Sequence, residues 1–137
     1  MRKNIFRFAF VAAFISIIIS CQKNSDTSPT GLDRDKFIGA WNVSGHGTQS
    51  SNQHWTMTIV AGSSNSEMLL DNFDQIGSTH SVTASVSGSS FTIPQQTVSG
   101  NIFKGSGNYN SNGSLSFNYT ADDQSNPVDT VTATATK

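Results

Sequence analysis

The residues best suited to metal or acid–base chemistry are His46, His54 and His80, the only histidines of the chain, each in a polar stretch. Imidazole nitrogens are good Zn²⁺ ligands, and catalytic zinc is typically held by three protein ligands with one position left open. Asp74, Asp122 or Asp123 could complete such a set. The spacing matches no known metal signature, so we predict no metal and treat the histidines as candidate ligand-binding residues.

Trp55 follows His54 directly and begins an alternating apolar run. An aromatic ring at this position could stack on a sugar or line an apolar pocket. Core packing with Met57 and Ile59 is the alternative, and the sequence leaves both open. We include Trp55 with the three histidines as a predicted ligand-binding residue.

No other motif indicates catalysis. Asp122, Asp123 and Asn126 form an oxygen-rich loop that could hold Ca²⁺, but their spacing is not that of an EF-hand. The sequence contains no Gly-x-Ser-x-Gly nucleophile motif and no glycine-rich phosphate loop at a strand–helix junction. We therefore predict no catalytic residue, no cofactor and no enzymatic activity.

The elements that would position these side chains are strands. From Trp41 onwards apolar and polar residues alternate with the strand period of two, in eight short stretches separated by turn residues. No stretch of ten or more residues after Ile38 has a helical apolar stripe. We predict an all-β protein with Trp41, Phe117 and Tyr119 in its core.

Two architectures suit eight such strands. An antiparallel up-and-down barrel leaves no exposed strand edge and can enclose one small ligand. A β-sandwich of the same strands is the alternative, and periodicity alone does not separate the two. The regular hairpin spacing favours the barrel.

The connections between the predicted strands differ in length, which gives the molecule two unlike ends. Short turns are predicted at residues 62–65, 87–88 and 112–113. Longer connections are predicted at residues 45–53, 72–79, 95–101 and 121–127. In an up-and-down chain the first set lies at one end, the short-turn end, and the second set at the other, the long-loop end. Binding residues tend to sit on long loops held by a rigid frame, so we expect function at the long-loop end.

Residues 1–21 form a separate segment. A basic head is followed by an apolar stretch at residues 8–19, which is typical of a secretory signal and too short for a stable membrane span. Residues 18–21, Ile-Ile-Ser-Cys, resemble the lipobox of bacterial lipoproteins. This resemblance implies that residues 1–20 are removed and that Cys21 becomes the lipidated N-terminus.

The expected organisation is a signal peptide at 1–20, a flexible tether at 21–32 and a barrel domain at 33–137. The lipid would attach the protein to the membrane. The residue after Cys21 is Gln22, not the aspartate that retains some lipoproteins in the inner membrane, so we expect the outer membrane or the cell surface. Residues 21–137 have a formal net charge of −4 and no basic cluster, which argues against a nucleic-acid partner.

The start of the barrel carries a second resemblance. Residues 33–38 suit one helical turn with Asp33 as N-cap and with Phe37 and Ile38 facing the core, and Gly39-Ala40-Trp41 follows. A turn followed by Gly-x-Trp on the first strand resembles the opening of lipocalins and related calycin barrels. In that family the tryptophan plugs the closed end and an arginine near the last strand packs across it; here the C-terminal end offers only Lys137.

The lipocalin resemblance implies a barrel that captures a small apolar or amphipathic ligand at its open end, which here would face away from the membrane. The alternative is a filled barrel or sandwich whose long loops contact an envelope protein or a glycan.

Overall fold

The computed structural model describes residues 31–137, so the predicted signal peptide, Cys21 and most of the tether lie outside the described residues. A 3₁₀ helix (Asp33–Lys36) precedes eight strands. The strands are β1 (Gly39–Gly47), β2 (Gln53–Ala61), β3 (Glu67–Asp71), β4 (Ser81–Ser87), β5 (Ser90–Val98), β6 (Asn101–Tyr109), β7 (Leu115–Asp122) and β8 (Asp129–Thr136). Within residues 31–137 no helix is both long and apolar enough to cross a membrane.

The eight strands form one closed antiparallel barrel in sequence order. Closure is made by β1, which pairs with β2 through Trp41 and Met57 and with β8 through Val43 and Ala135. The sheet built by residues 31–137 therefore has no free edge. The predicted up-and-down barrel is confirmed, and the sandwich alternative is wrong.

Twenty-one buried apolar side chains fill the barrel. All but two of them come from the inward positions of the strands, and the exceptions are Phe37 and Phe73, which precede β1 and follow β3. Large rings need space inside a barrel this narrow. A Cβ atom on Gly107 would lie 2.5 Å from Cζ of Phe91, so the missing side chain at Gly107 provides part of that space.

The short-turn end is closed by Trp41. Its indole Nε1 donates a hydrogen bond to the carbonyl oxygen of Phe37 at 2.7 Å. Nζ of Lys137 lies 4.7 Å from the Trp41 ring centroid and donates to the carbonyl oxygen of Ile38 at 2.9 Å. Lys137 thus packs across the tryptophan, where the lipocalin resemblance expects an arginine, by a cation–π contact and a hydrogen bond.

The 3₁₀ helix is fastened to the short-turn end. Nη1 of Arg34 donates to the carbonyl oxygens of Gly62 and Glu67, at 3.1 and 3.2 Å. Asp33 is inside the helix and not its N-cap, which corrects the prediction; its carboxylate instead accepts a hydrogen bond from the backbone N–H of Gly88 at 2.9 Å. Phe37 is fully buried, as predicted.

Strand β5 does not end before residue 95, where a long connection is predicted to begin. It continues to Val98, and its pairing with β6 shifts by one residue between Ile93 and Gln96. This bulge accommodates Pro94, which has no N–H to donate. The predicted long connection at 95–101 is consequently wrong: only Ser99 and Gly100 link β5 to β6, both with positive φ, as a type I′ turn requires.

The side chain of Gln96 replaces backbone pairing beside this bulge. Its Oε1 accepts from the N–H of Thr83 at 2.9 Å, and its Nε2 donates to the carbonyl oxygen of Thr83 at 2.7 Å. Main-chain pairing between β4 and β5 covers only three residue pairs near their common turn. Gln96 therefore closes the gap that the bulge leaves in the barrel wall.

Candidate functional site

The long-loop end is built from three long connections and the two-residue turn after β5. The connections span residues 48–52, 72–80 and 123–128. The second of them contains a short 3₁₀ helix, Phe73–Gln75. All four connections lie opposite the 3₁₀ helix Asp33–Lys36, so the predicted polarity of the barrel is found in the structure.

Phe73 closes the barrel at this end. Although it lies outside the strands, its side chain is fully buried. Its ring centroid is 4.5 Å from that of Tyr119, 5.4 Å from Phe103 and 6.2 Å from Phe117. Phe103 and Tyr119 present their rings at steep angles to it, an arrangement that aromatic quadrupoles favour. The interior beneath the long loops is therefore packed with aromatic side chains.

The backbone around Phe73 is held in an unusual conformation. Asn72, Asp74 and Gln75 all have left-handed φ angles, of 58°, 50° and 65°. Each such residue costs on the order of 1 kcal/mol when it is not glycine. Asn72 offsets part of this cost, because its Nδ2 donates to the carbonyl oxygen of Thr56 at 2.8 Å and its Oδ1 accepts from the N–H of Gly77 at 3.0 Å.

Asp74 and Tyr119 form a polar pair beside the aromatic cluster. The Tyr119 hydroxyl donates to Oδ1 of Asp74 at 2.5 Å. Burial raises the pKa of Asp74; the hydrogen bond from Tyr119 offsets part of this rise, and the nearby charge of Asp129 adds to it. Burial and the charge of Asp74 also raise the pKa of Tyr119. Tyr119 is thus a protonated donor at neutral pH, and the Asp74 carboxyl group that accepts its hydrogen bond has little solvation.

A cavity of about 370 Å³ opens above this pair at the rim of the barrel. We call it the rim cavity, and it is lined by Gln49, Ser50, Asp74, Asn101, Ala121, Asp123, Asn126, Pro127 and Asp129. One wall of the cavity is the connection after β1, which Asp129 holds in place. Oδ1 of Asp129 accepts hydrogen bonds from the N–H of Gln49 at 2.8 Å and from Oγ1 of Thr48 at 3.2 Å. Burial acts to raise the pKa of Asp129, but hydrogen bonds from residues 48–50 outweigh it and hold that pKa below its ordinary value.

The opposite wall is the loop after β7. Oδ1 of Asp123 accepts hydrogen bonds from the N–H groups of Ser125 and Asn126, and its Oδ2 accepts from the Asn126 side chain at 2.7 Å. These bonds, led by the one from the Asn126 side chain, lower the pKa of Asp123. The carboxylate is used to fold its own loop, so the oxygen-rich segment considered for Ca²⁺ is an acidic turn. Among residues 31–137 no three His, Cys, Asp or Glu side chains are grouped to hold a metal.

The three histidines do not line the rim cavity. His46 and His54 are exposed on the outer face of β1 and β2, because each alternates with inward-facing neighbours. Nδ1 of His54 is 2.9 Å from Oγ of Ser44, its partner across the two strands. His80 is also exposed, beside Thr79 in the loop before β4.

The remaining predicted residues lie inside the barrel. Trp41, Phe117 and Tyr119 are buried, in the positions predicted for the core. Trp55 is 8% exposed and faces inward at the long-loop end. Its six-membered ring lies over Gly45, where a Cβ atom would be 3.0 Å from it. Its indole Nε1 is buried and has no hydrogen-bond partner in the part of the chain that the structure describes.

Sequence reasoning missed Phe73, Gln49 and Asn101, which complete this end of the molecule. Phe73 could have been found, because it is a lone aromatic residue within the polar segment Asp-Asn-Phe-Asp-Gln at 71–75, and a ring in such a segment favours burial. Gln49 and Asn101 carry no such signal. They become neighbours only when β1, β2, β5 and β6 close into the barrel.

Comparisons with known proteins show a shared fold. No protein-family model and no curated protein matches the sequence. Among solved structures, a redesigned β-barrel named b11L5F_LGL superimposes with a TM-score of 0.57 at 10% identity, covering 79% of this chain and 96% of its own. The protein EF1p2_mFAP2b, determined bound to DFHBI, superimposes with a TM-score of 0.56 at 13% identity, covering 78% of this chain and 99% of its own. At these identities the likeness establishes the barrel fold alone.

Proposed function

We propose that the protein is a lipoprotein of the cell envelope, held in the outer membrane or at the cell surface by lipid on Cys21, and that it binds a small amphipathic ligand in the rim cavity. One observation carries the binding part of the proposal. The described chain begins at the short-turn end, where Asp33 and Arg34 bond to the turns after β4 and β2, and the rim cavity lies at the opposite end. An anchor at Cys21 would leave the cavity facing away from the membrane.

The lining of the rim cavity supports an amphipathic ligand. Asp74, Asp129 and Asn101 provide charged and amide groups, whereas Ala121 and Pro127 provide apolar surface. Its volume of about 370 Å³ suits a small molecule. The likeness to EF1p2_mFAP2b, a protein of similar fold determined with bound DFHBI, adds support for a small-molecule ligand. In this proposal the protein binds its ligand without chemical conversion, since the carboxylates of Asp123 and Asp129 already hold their own loops.

Anchoring is tested by growing cells with radiolabelled palmitate and comparing the full chain with Cys21→Ser. We expect label in the parent protein only, and a larger product in the variant because residues 1–20 are retained. Label in both proteins, or in neither, would contradict the lipoprotein assignment. Protease treatment of intact cells then separates a surface location from a periplasmic one.

Ligand binding is tested on the lipoprotein purified in mild detergent, by native mass spectrometry after gentle release from the micelle. We expect a bound small molecule that Gln49→Trp displaces, because the new ring fills the rim cavity from an exposed loop. Thr58→Trp is the matched control, since it adds the same ring to the outer face of β2. Equal occupancy in both variants would place the ligand elsewhere.

A second candidate function is favoured by the packed interior. Phe73 and the surrounding rings leave the barrel filled beneath the rim cavity. A filled barrel suits a module whose long loops contact an envelope protein or a glycan. Glycan-array binding, or cross-linking from residue 49 or 126 to a neighbouring envelope protein, would support it if no small molecule accompanies the purified lipoprotein.

A further inference from the structure

We propose that Phe73 occupies a ligand seat, and that a small molecule with an aromatic ring and a hydrogen-bond acceptor binds by replacing the Phe73 ring while residues 72–77 swing outward. This inference deepens the ligand part of the proposed function and rests on it. It extends the site from the rim cavity into the barrel.

The walls of the seat belong to strands and not to the loop that fills it. Phe103 lies on β6, and Phe117 and Tyr119 lie on β7, two strands joined by eight consecutive residue pairs. Phe73 reaches these walls from a connection between strands. Withdrawal of its ring would therefore leave an aromatic recess with rigid walls, and a molecule with a ring of similar size would restore the same contacts.

Apart from the buried Phe73 ring and the bond from Tyr119 to Asp74, which opening would break, the side-chain bonds that tie this loop to the strands are at the surface. The Gln75 side chain bonds to Gln53 at 2.6 Å and Asn72 bonds to Thr56, both exposed to solvent. Water can replace such bonds at small net cost. The left-handed backbone at Asn72, Asp74 and Gln75 would relax on opening, which offsets part of the loss of packing.

Trp55 supplies a donor that still needs an acceptor. Its Nε1 is buried without a partner in the described residues, and an unpaired buried donor is unfavourable. The Trp55 ring lies over Gly45 beside Val131, and Val131 is the register partner of Tyr119, a wall of the seat. A carbonyl group that reaches from the seat past Val131 to the indole would supply the missing acceptor. The ligand class is thus an aromatic ring with a neutral acceptor group.

The two tryptophan indoles provide the readout. In the lipoprotein with ¹⁵N-labelled tryptophan, acetophenone, a ring with a carbonyl, is added in parallel with ethylbenzene, a ring without one. We expect acetophenone to shift the Trp55 indole signal and to leave Trp41, whose Nε1 already bonds to Phe37, unmoved. Phe73→Ala empties the seat. In this variant the Trp55 indole signal should therefore reach half of its full shift at an acetophenone concentration about tenfold lower than in the parent protein. Phe73→Leu keeps the seat filled and should behave like the parent.

An unmoved Trp55 signal in both the parent and Phe73→Ala, or equal concentration dependence in the two, would overturn the inference. If loss of the Trp41 signal shows that Phe73→Ala does not fold, Asn72→Ala replaces it. That variant loses the bonds to Thr56 and Gly77 but keeps Phe73, and it should also lower the required concentration. A ligand displaced by Gln49→Trp together with an unmoved Trp55 would reject the seat and retain the rim cavity. Failure of palmitate labelling would leave the indole readout unaffected.

Discussion

Removal of one oxygen atom, in Tyr119→Phe, tests the polar pair at the long-loop end. Tyr119 is 2% exposed, so the phenylalanine ring keeps its core contacts and only the 2.5 Å bond to Asp74 is lost. Hydrogen bonds to charged groups contribute about 1.5–3 kcal/mol. We therefore expect the free energy of unfolding to fall by about 2 kcal/mol at pH 7, and the melting temperature by about 10 °C.

The loss should depend on pH. The Tyr119 hydroxyl lowers the pKa of Asp74 and so favours the ionised carboxylate. Removing the hydroxyl penalises the ionised form more than the protonated form, and the pKa of Asp74 rises further above its ordinary value of 3.8. The destabilisation is therefore greatest above the pKa of Asp74, where the carboxyl group is ionised, and becomes smaller as acid protonates it.

Urea unfolding followed by tryptophan fluorescence at pH 7 and at pH 4 measures both effects. Tyr109→Phe is the matched control, because it removes the same atom at the short-turn end, where the hydroxyl has no hydrogen-bond partner among residues 31–137. We expect the control to change stability by less than about 0.5 kcal/mol. Equal losses in the two variants, or a Tyr119→Phe loss that does not shrink in acid, would refute the reasoning.

Three further substitutions test other parts of the barrel. Gly107→Ala should lower the free energy of unfolding by about 1–3 kcal/mol in thermal melts, because its Cβ would lie 2.5 Å from Phe91; an unchanged melting temperature would contradict the close packing. Gln96→Ala should cost about 1–3 kcal/mol in urea unfolding and speed amide exchange at Thr83, whose backbone groups lose both partners. Asp74→Asn should stabilise the protein at pH 7, since burial raises the pKa of Asp74 and the ionised form opposes folding; the gain should disappear below pH 3.8, where the folded and unfolded carboxyl are both protonated.

The two ends of the barrel are stabilised in different ways. At the short-turn end, Trp41 and Lys137 are fixed by hydrogen bonds to the main chain at Phe37 and Ile38. At the long-loop end, Phe73 is carried by a backbone with three left-handed residues, and its loop is held by one part-buried bond, from Tyr119 to Asp74, and by exposed side-chain bonds. Local opening is therefore expected at the long-loop end, which is where we place ligand binding.

The fold could be predicted from the sequence because strand alternation is a local property. Each of the eight apolar runs identifies its own inward face, and short turns such as residues 112–113 set antiparallel neighbours. A period of two also places His46 and His54 opposite the inward residues of β1 and β2. The prediction that they bind a ligand therefore concerns the outer face of the barrel and not its interior.

The site depended on contacts that no local pattern contains. Asp74 and Tyr119 are 45 residues apart in sequence, and only barrel closure brings them within hydrogen-bond distance. Whether Phe73 lies in solvent or fills the barrel is decided by the space inside the barrel beside β6 and β7. Pro94 remains inside a strand because Gln96 replaces the missing backbone pairing. The sequence by itself determined which residues form strands and which of their faces point inward. Tertiary packing decided which side chains meet at the long-loop end, because that depends on distances between strands that are remote in sequence.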